Sequence, residues 1–131
     1  MFDEFALLDN GFGNVTDESG KVTGFQLKTQ IPYYRGIPLS MVEWINVKVD
    51  GEEVVQSKIK FSPNGEDYFT LDEMTTVTTY KWEFGQEAIV FVEKEGGLSK
   101  GSHEISLKQA IRNAYYPFPI EARRTKTFEI A

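Results

Sequence analysis

The sequence predicts an all-β fold: an antiparallel β-sandwich of about eight or nine strands with at most short helical turns. Three observations carry that reading. Turn-forming clusters punctuate the chain at "DNGFGN" (9–14), "DESGK" (17–21), "DG" (50–51), "SPNGED" (62–67), "EGG" (95–97) and "KGS" (100–102). Glycine and asparagine there supply the positive φ that tight turns need. Between the clusters, apolar and polar residues alternate with a period of two, the mark of a strand with one buried face. No stretch keeps the helical period over a convincing length. Short strands punctuated by turns every roughly 8–12 residues suit a sandwich or barrel.

The elements follow in order. The first ten residues and "LDEM" (71–74) each suit a single helical turn. In 23–31, Phe25, Leu27, Thr29 and Ile31 share one face, and Gln26, Lys28 and Gln30 the other. Ile45, Val47 and Val49 alternate with Asn46 and Lys48 and run into Asp50-Gly51, a strong hairpin turn. A returning strand is expected over about 53–61. In "EAIVFVE" (87–93), Ala88, Val90 and Val92 point one way and Ile89 and Phe91 the other, so both faces are apolar. This predicts a central strand whose outer face is covered, either by a loop of the same chain or by another subunit. In 103–111, Ile105, Leu107 and Ile111 oppose Glu104, Ser106 and Lys108. The chain closes on "TKTFEI", with Phe128 and Ile130 on one face.

The 131 residues make one domain, 1–131, large enough to bury a core without staples. There is no cysteine, which removes disulfides, thiolate nucleophiles and thiolate metal sites, and suits a reducing cytoplasm. The start, "MFDEFALLDNGF", has acids and no basic run, so it is a poor secretory signal. No run approaches the ~18 apolar residues of a membrane span. A net charge of −6 disfavours nucleic acid, whose phosphates need a basic face.

Catalytic equipment is thin. His103 is the single histidine, so one chain cannot build a site of two or three histidine ligands. It shares the parity of Ile105 and Leu107 and reads as a structural strand-end residue. A Ser-His-Asp triad is arithmetically possible, but no G-x-S-x-G elbow exists. Asp72 and Glu73 are neighbours; paired carboxylates can act on a sugar, but adjacent ones rarely aim at one substrate. A turn capped by Asp72, with Glu73 in solvent, is the plainer reading. Glu83, between Trp82 and Phe84, gains interest only if buried. Phosphate loops, dinucleotide fingerprints and calcium loops are absent.

Two segments fall outside the strand pattern and are rich in rings: "IPYYRGIPLS" (31–40) and "NAYYPFPIEARRTK" (113–126). Pro32, Pro38, Pro117 and Pro119 fix φ and extend the residues before them, which stiffens both. Stiff segments lose less entropy on docking. Tyrosine and arginine favour interfaces, because each joins a large contact area to a directional polar tip. The rings either seal the ends of the core or meet another protein.

"GFQLKTQIPYYRGIPLSMVEWINVKVDGEEV", "FTLDEM", "WEFGQEAIVFVEKEGGLSKGSHEI" and "YYPFP" together resemble the small (beta) subunits of bacterial C-glycoside deglycosidases, over about residues 10–130. "IPYYRGIPLSMVE" is the most specific part. The resemblance implies a β-sandwich that assembles into a hetero-oligomer with a larger alpha subunit, a TIM barrel similar to sugar isomerases and epimerases. That partner would carry a divalent metal, commonly manganese, and the catalytic base; no cofactor or catalytic residue is expected in this chain. The complex would be a lyase, cleaving the C–C bond between a 3-keto sugar and an aromatic, flavonoid-like aglycone.

On this view Tyr33, Tyr34, Arg35, Ile37 and Leu39 form a rigid plug against the alpha subunit, with Tyr115, Tyr116 and Phe118 from the second segment. They are the candidate interface or substrate-entrance residues. The alternative is a stand-alone carbohydrate-binding β-sandwich module in which Trp44, Trp82 or the tyrosines stack on sugar rings. A small glycosidase using Asp72 or Glu73 ranks last.

Overall fold

The computed structural model describes residues 3–31, 36–112 and 118–130. A helical turn, α1 (Asp3–Ala6), leads into β1 (Gly13–Thr16), β2 (Val22–Thr29) and β3 (Ile37–Pro38). A 3₁₀ turn over Leu39–Met41 precedes β4 (Val42–Val49) and β5 (Glu52–Glu53). A second 3₁₀ turn, Gln56–Lys58, precedes β6 (Ile59–Ser62), β7 (Phe69–Thr70) and α2 (Leu71–Met74). The chain ends through β8 (Lys81–Trp82), β9 (Ala88–Glu93), β10 (Gly101–Ile111) and β11 (Ile120–Ile130).

The strands form three antiparallel sheets. A five-stranded sheet runs β1-β2-β9-β6-β7, a four-stranded sheet runs β11-β10-β4-β5, and β3 pairs with β8. The alternation read from sequence sets the inner faces. Phe25 and Leu27, Phe61, Val90 and Val92 from the five-stranded sheet meet Ile45, Val47, Ile105 and Leu107 from the four-stranded one in a single buried core. The all-β sandwich holds. Eleven strands are described instead of eight or nine because β3, β5, β7 and β8 are two-residue pairings too short to show a period.

One element differs outright. The expected strand over 53–61 is two pieces in two sheets. Asp50 (φ 51) and Gly51 (φ 84) make the tight turn, and only Glu52 and Glu53 return against β4. Gln56 then bonds through Nε2 to the Ile45 carbonyl (3.0 Å) and to Asn46 Oδ1 (2.7 Å), which turns the chain away. It enters the other sheet as β6, where Ile59 and Phe61 face the core opposite Val92 and Val90.

β9 is a central strand, as its two apolar faces imply. On the outer side, the Phe91 ring lies over Gly24 of β2, where any side chain would collide with the Val92 carbonyl oxygen. Gly65, in the turn after β6, lies beside Ile89. The chain covers this face in part with its own residues. Among the described residues no helix is long and apolar enough to cross a membrane.

One polar cluster spans the core. Gln109 of β10 is fully buried, and its Nε2 donates to Thr29 Oγ1 (3.1 Å) and to the Gln30 carbonyl (3.0 Å). Thr29 Oγ1 in turn donates to the Phe5 carbonyl (3.1 Å), as does the Gln30 amide (2.8 Å). The cluster clamps β10, β2 and the end of α1. Truncating Gln109 to alanine strips buried acceptors of their donor, and urea unfolding should show a loss of about 1–3 kcal/mol. Trp82→Ala, which empties a buried site against Phe61 (ring centroids 5.0 Å apart), should cost about 3–5 kcal/mol in the same assay.

Candidate functional site

Both ring-rich segments leave from the end of the sandwich held by Gln109. The stretch 32–35 departs after Ile31 and rejoins at Gly36; the stretch 113–117 departs after Arg112 and rejoins at Phe118. Their described flanks are bound to one another. The Arg112 amide donates to the Met41 carbonyl (2.7 Å), and its guanidinium pairs with Glu43 (3.2 Å).

The β8–β9 turn packs beside the first segment. Gln30 Nε2 donates to the Gly85 carbonyl (3.1 Å), and the Glu83 carboxylate lies against Gly36, so that a Cβ there would make it shift. The buried Trp82 holds the turn, donating through Nε1 to the Gln86 carbonyl (3.1 Å). Gln86 closes it, accepting the Glu83 amide on Oε1 (3.1 Å) and donating its own amide to the Glu83 carbonyl (3.0 Å). This frame presents Phe84 to solvent at 55% exposure, and Phe118 stands out at 76%.

The sequence-derived candidates divide into three groups. Tyr33, Tyr34, Arg35, Tyr115 and Tyr116 lie outside the described residues. Phe118 is exposed. Ile37 and Leu39 are buried in the chain's own core, a correction to their expected outward plug: Ile37 pairs with Trp82 in the β3–β8 ladder, and the Leu39 amide donates to the Tyr80 carbonyl (3.1 Å). They anchor the return of the segment. Phe84 was missed. Its signal is "WEFG", an aromatic two residues past a core tryptophan and just before a glycine at φ 80, so the turn pushes it outward.

At the other end, near β5 and the β9–β10 connection, His103 sits between Ser99 and Asp50 in an arrangement similar to a triad. Its Nδ1 lies 2.8 Å from Asp50 Oδ2, and Ser99 Oγ is 3.4 Å from Nε2. Yet Nε2 also lies 2.8 Å from the Ser99 carbonyl oxygen, which can only accept. Two acceptors at the two ring nitrogens favour the protonated ring, which donates from both and in that form has no lone pair to take a serine proton. The Asp50 hydrogen bond, then the Ser99 carbonyl, raise the His103 pKa. The His103 bond, then the Glu104 amide, lower that of Asp50. His103 is structural.

The carboxylate neighbours are corrected as well. Thr70, not Asp72, caps α2: Thr70 Oγ1 accepts the Glu73 amide, and Glu73 Oε1 accepts the Thr70 amide (2.8 Å) in a capping box. The Thr70 amide bond lowers the Glu73 pKa, the wrong direction for a general acid. Glu83 is exposed. Trp82 is buried and cannot stack on a sugar, whereas Trp44 is half-buried on the outer side of β4. Among the described residues no three His, Asp or Glu side chains gather as a metal-binding group.

In class, then, this is a small antiparallel β-sandwich with exposed aromatics at the end where its two ring-rich segments emerge. The model of the C-glycoside deglycosidase beta subunit family matches residues 2–115. The C-glycoside deglycosidase beta subunit of Eubacterium cellulosolvens is 35% identical over 107 residues, 82% of this chain and 72% of that protein. The 3'-dehydrocarminate deglycosidase beta subunit of a Microbacterium species is 28% identical over 117 residues, 89% of this chain and 83% of that protein. The chain belongs to the C-glycoside deglycosidase beta subunit family.

The ion pair sets a pH dependence. The raised His103 value contributes stability that is complete below about pH 6.5 and lost as pH rises through the folded-state value. The lowered Asp50 value contributes above about pH 4 and is lost as pH falls through its folded-state value. The difference in melting temperature between the native chain and His103→Gln should be greatest between about pH 4 and 6.5 and shrink toward alkaline pH, as scanned by circular dichroism.

Proposed function

We propose that this chain is the accessory subunit of a deglycosidase complex that cleaves the C–C bond between a 3-keto sugar and an aromatic, flavonoid-like aglycone. It docks through its aromatic end onto a catalytic TIM-barrel alpha subunit that carries the divalent metal, manganese by expectation, and the base. One observation carries the docking surface: Phe84 is exposed on a turn fixed by Trp82 and Gln86, and Phe118, which follows the second ring-rich stretch, is exposed as well. Burying such a ring gains about 1.5–3 kcal/mol. A frame already rigid loses little entropy on association. The beta-subunit names of both relatives support a partner.

The ketone of such a substrate acidifies the adjacent C–H, and removing that proton starts the elimination that frees the aglycone carbon. A barrel's active site opens among its βα loops, where a stiff neighbouring subunit can exclude water from the enolate. On this reading Tyr33, Tyr34, Arg35, Tyr115 and Tyr116 are assigned to that mouth, where Arg35 suits a carboxylate of the partner or an aglycone phenolate. The reading puts the complex in the cytoplasm, which suits a chain without cysteine.

Two measurements test it. The purified chain alone should not turn over a 3-keto C-glycoside, and co-expression with its alpha partner should yield cleavage; turnover by the small chain alone overturns the division of labour. The double variant Phe84→Ala/Phe118→Ala should keep its circular dichroism spectrum while association with the partner weakens at least about tenfold by calorimetry. Unchanged association places the docking surface elsewhere.

A further inference from the structure

The outer face of the four-stranded sheet holds a groove of about 520 Å³ that neither the docking end nor the core explains. Register places its residues. Trp44 of β4 lies opposite Ala110 of β10, which lies opposite Glu121 of β11. In the next row Asn46, Lys108 and Arg123 stand side by side across the same strands. Asp3 of α1 walls the free edge of β11, its Oδ1 accepting the Arg123 amide (3.1 Å). Half-buried Trp44 and exposed Glu121 line the groove in this row, whereas Ala110 between them is fully buried and does not line it. Two strand spacings set the width at about 10 Å.

Among the described residues the Trp44 indole N–H has no acceptor and its ring no aromatic or cationic partner, and Lys108, Glu121 and the Arg123 guanidinium have no hydrogen bond or ion pair. Asn46 accepts from Gln56 on Oδ1, which leaves its Nδ2 donors free. Lys108 and Arg123 face one another directly, a cross-strand like-charge pairing that weakens a sheet. The groove thus unites one aromatic platform, donors from Trp44, Asn46, Lys108 and Arg123, and acceptors from Glu121 and Asp3.

We infer that this groove is a carbohydrate-binding subsite of the chain itself, separate from the surface proposed to dock the partner. A pyranose suits the set: one C–H face stacks on the indole, and its hydroxyls, each both donor and acceptor, engage the mixed rim. A simple anion matches less well, since Asp3 and Glu121 offset Lys108 and Arg123. A purely apolar ligand would leave the charged rim unpaired. Trp44 provides the stacking surface that the buried Trp82 cannot.

The two tryptophans make the test internally controlled. Methyl β-glucoside is titrated into the full chain, labelled with ¹⁵N, without any partner. The Trp44 indole and Asn46 side-chain signals should shift saturably while the Trp82 indole stays fixed. Trp44→Ala should abolish the shifts at Asn46, and Lys108→Ala should weaken binding about tenfold with the spectrum otherwise native. Glucuronate should bind no more than a few-fold differently; inorganic phosphate should leave Trp44 unmoved. An unshifted Trp44 at tens of millimolar glucoside overturns the subsite, as does an Asn46 shift that survives Trp44→Ala. Saturable phosphate binding at the groove overturns the sugar assignment. All of these readouts stand whether or not the alpha subunit docks at Phe84 and Phe118.

Discussion

The buried amide of Gln109 is the constraint on which the working end of this molecule depends. A sandwich core needs only apolar contact, which is non-directional and tolerates sliding of one sheet over the other. Gln109 removes that freedom. Its two donated bonds fix β10 against Thr29 and Gln30, and the same two residues hold the Phe5 carbonyl of α1. A polar side chain inside a core is costly unless bonded, so it tolerates few arrangements. Oε1 of Gln109 has no partner among the described residues, and this lack is part of the cost of the clamp.

From that clamp the rest of the end follows. Gln30 reaches on to Gly85, which positions the turn bearing Phe84; Trp82 bolts the turn to the core and pairs with Ile37. Ile37 and Leu39 therefore belong to the chain's own core. Family membership gives this end a context, since a beta subunit is defined by what it joins. The polar groove around Trp44 lies on the adjoining sheet face and depends on different residues. One small fold can hold both because a sandwich uses its inner faces for stability and leaves its ends and outer faces for binding.

Much of this was legible in the sequence, for physical reasons. Period-two alternation marked β2, β4, β10 and the end of β11 because each has one face in the core. Asp50-Gly51 announced its turn through backbone geometry alone. The double-apolar β9 showed itself as central. What failed were features fixed by contacts distant in sequence. The break at Gln56 depends on its bonds to the preceding strand, so 53–61 read as one strand. The cap fell to Thr70, with Glu73 as its reciprocal partner, and not to Asp72, because a capping box depends on which residue begins the helical turn, a boundary that composition leaves open by a residue or two. Phe84 was hidden beside the more conspicuous Trp82. Gln109 looked like an ordinary strand residue, although its parity with Ile105, Leu107 and Ile111 pointed it inward.

Gly24 has a wider effect than its size suggests. With no side chain at that point, the Phe91 ring can lie down across the neighbouring strand and roof over the broad side of the larger sheet. That side is covered in part by the protein's own residues. The larger sheet thus wears part of its own covering, and that covering rests on the absence of a methyl group.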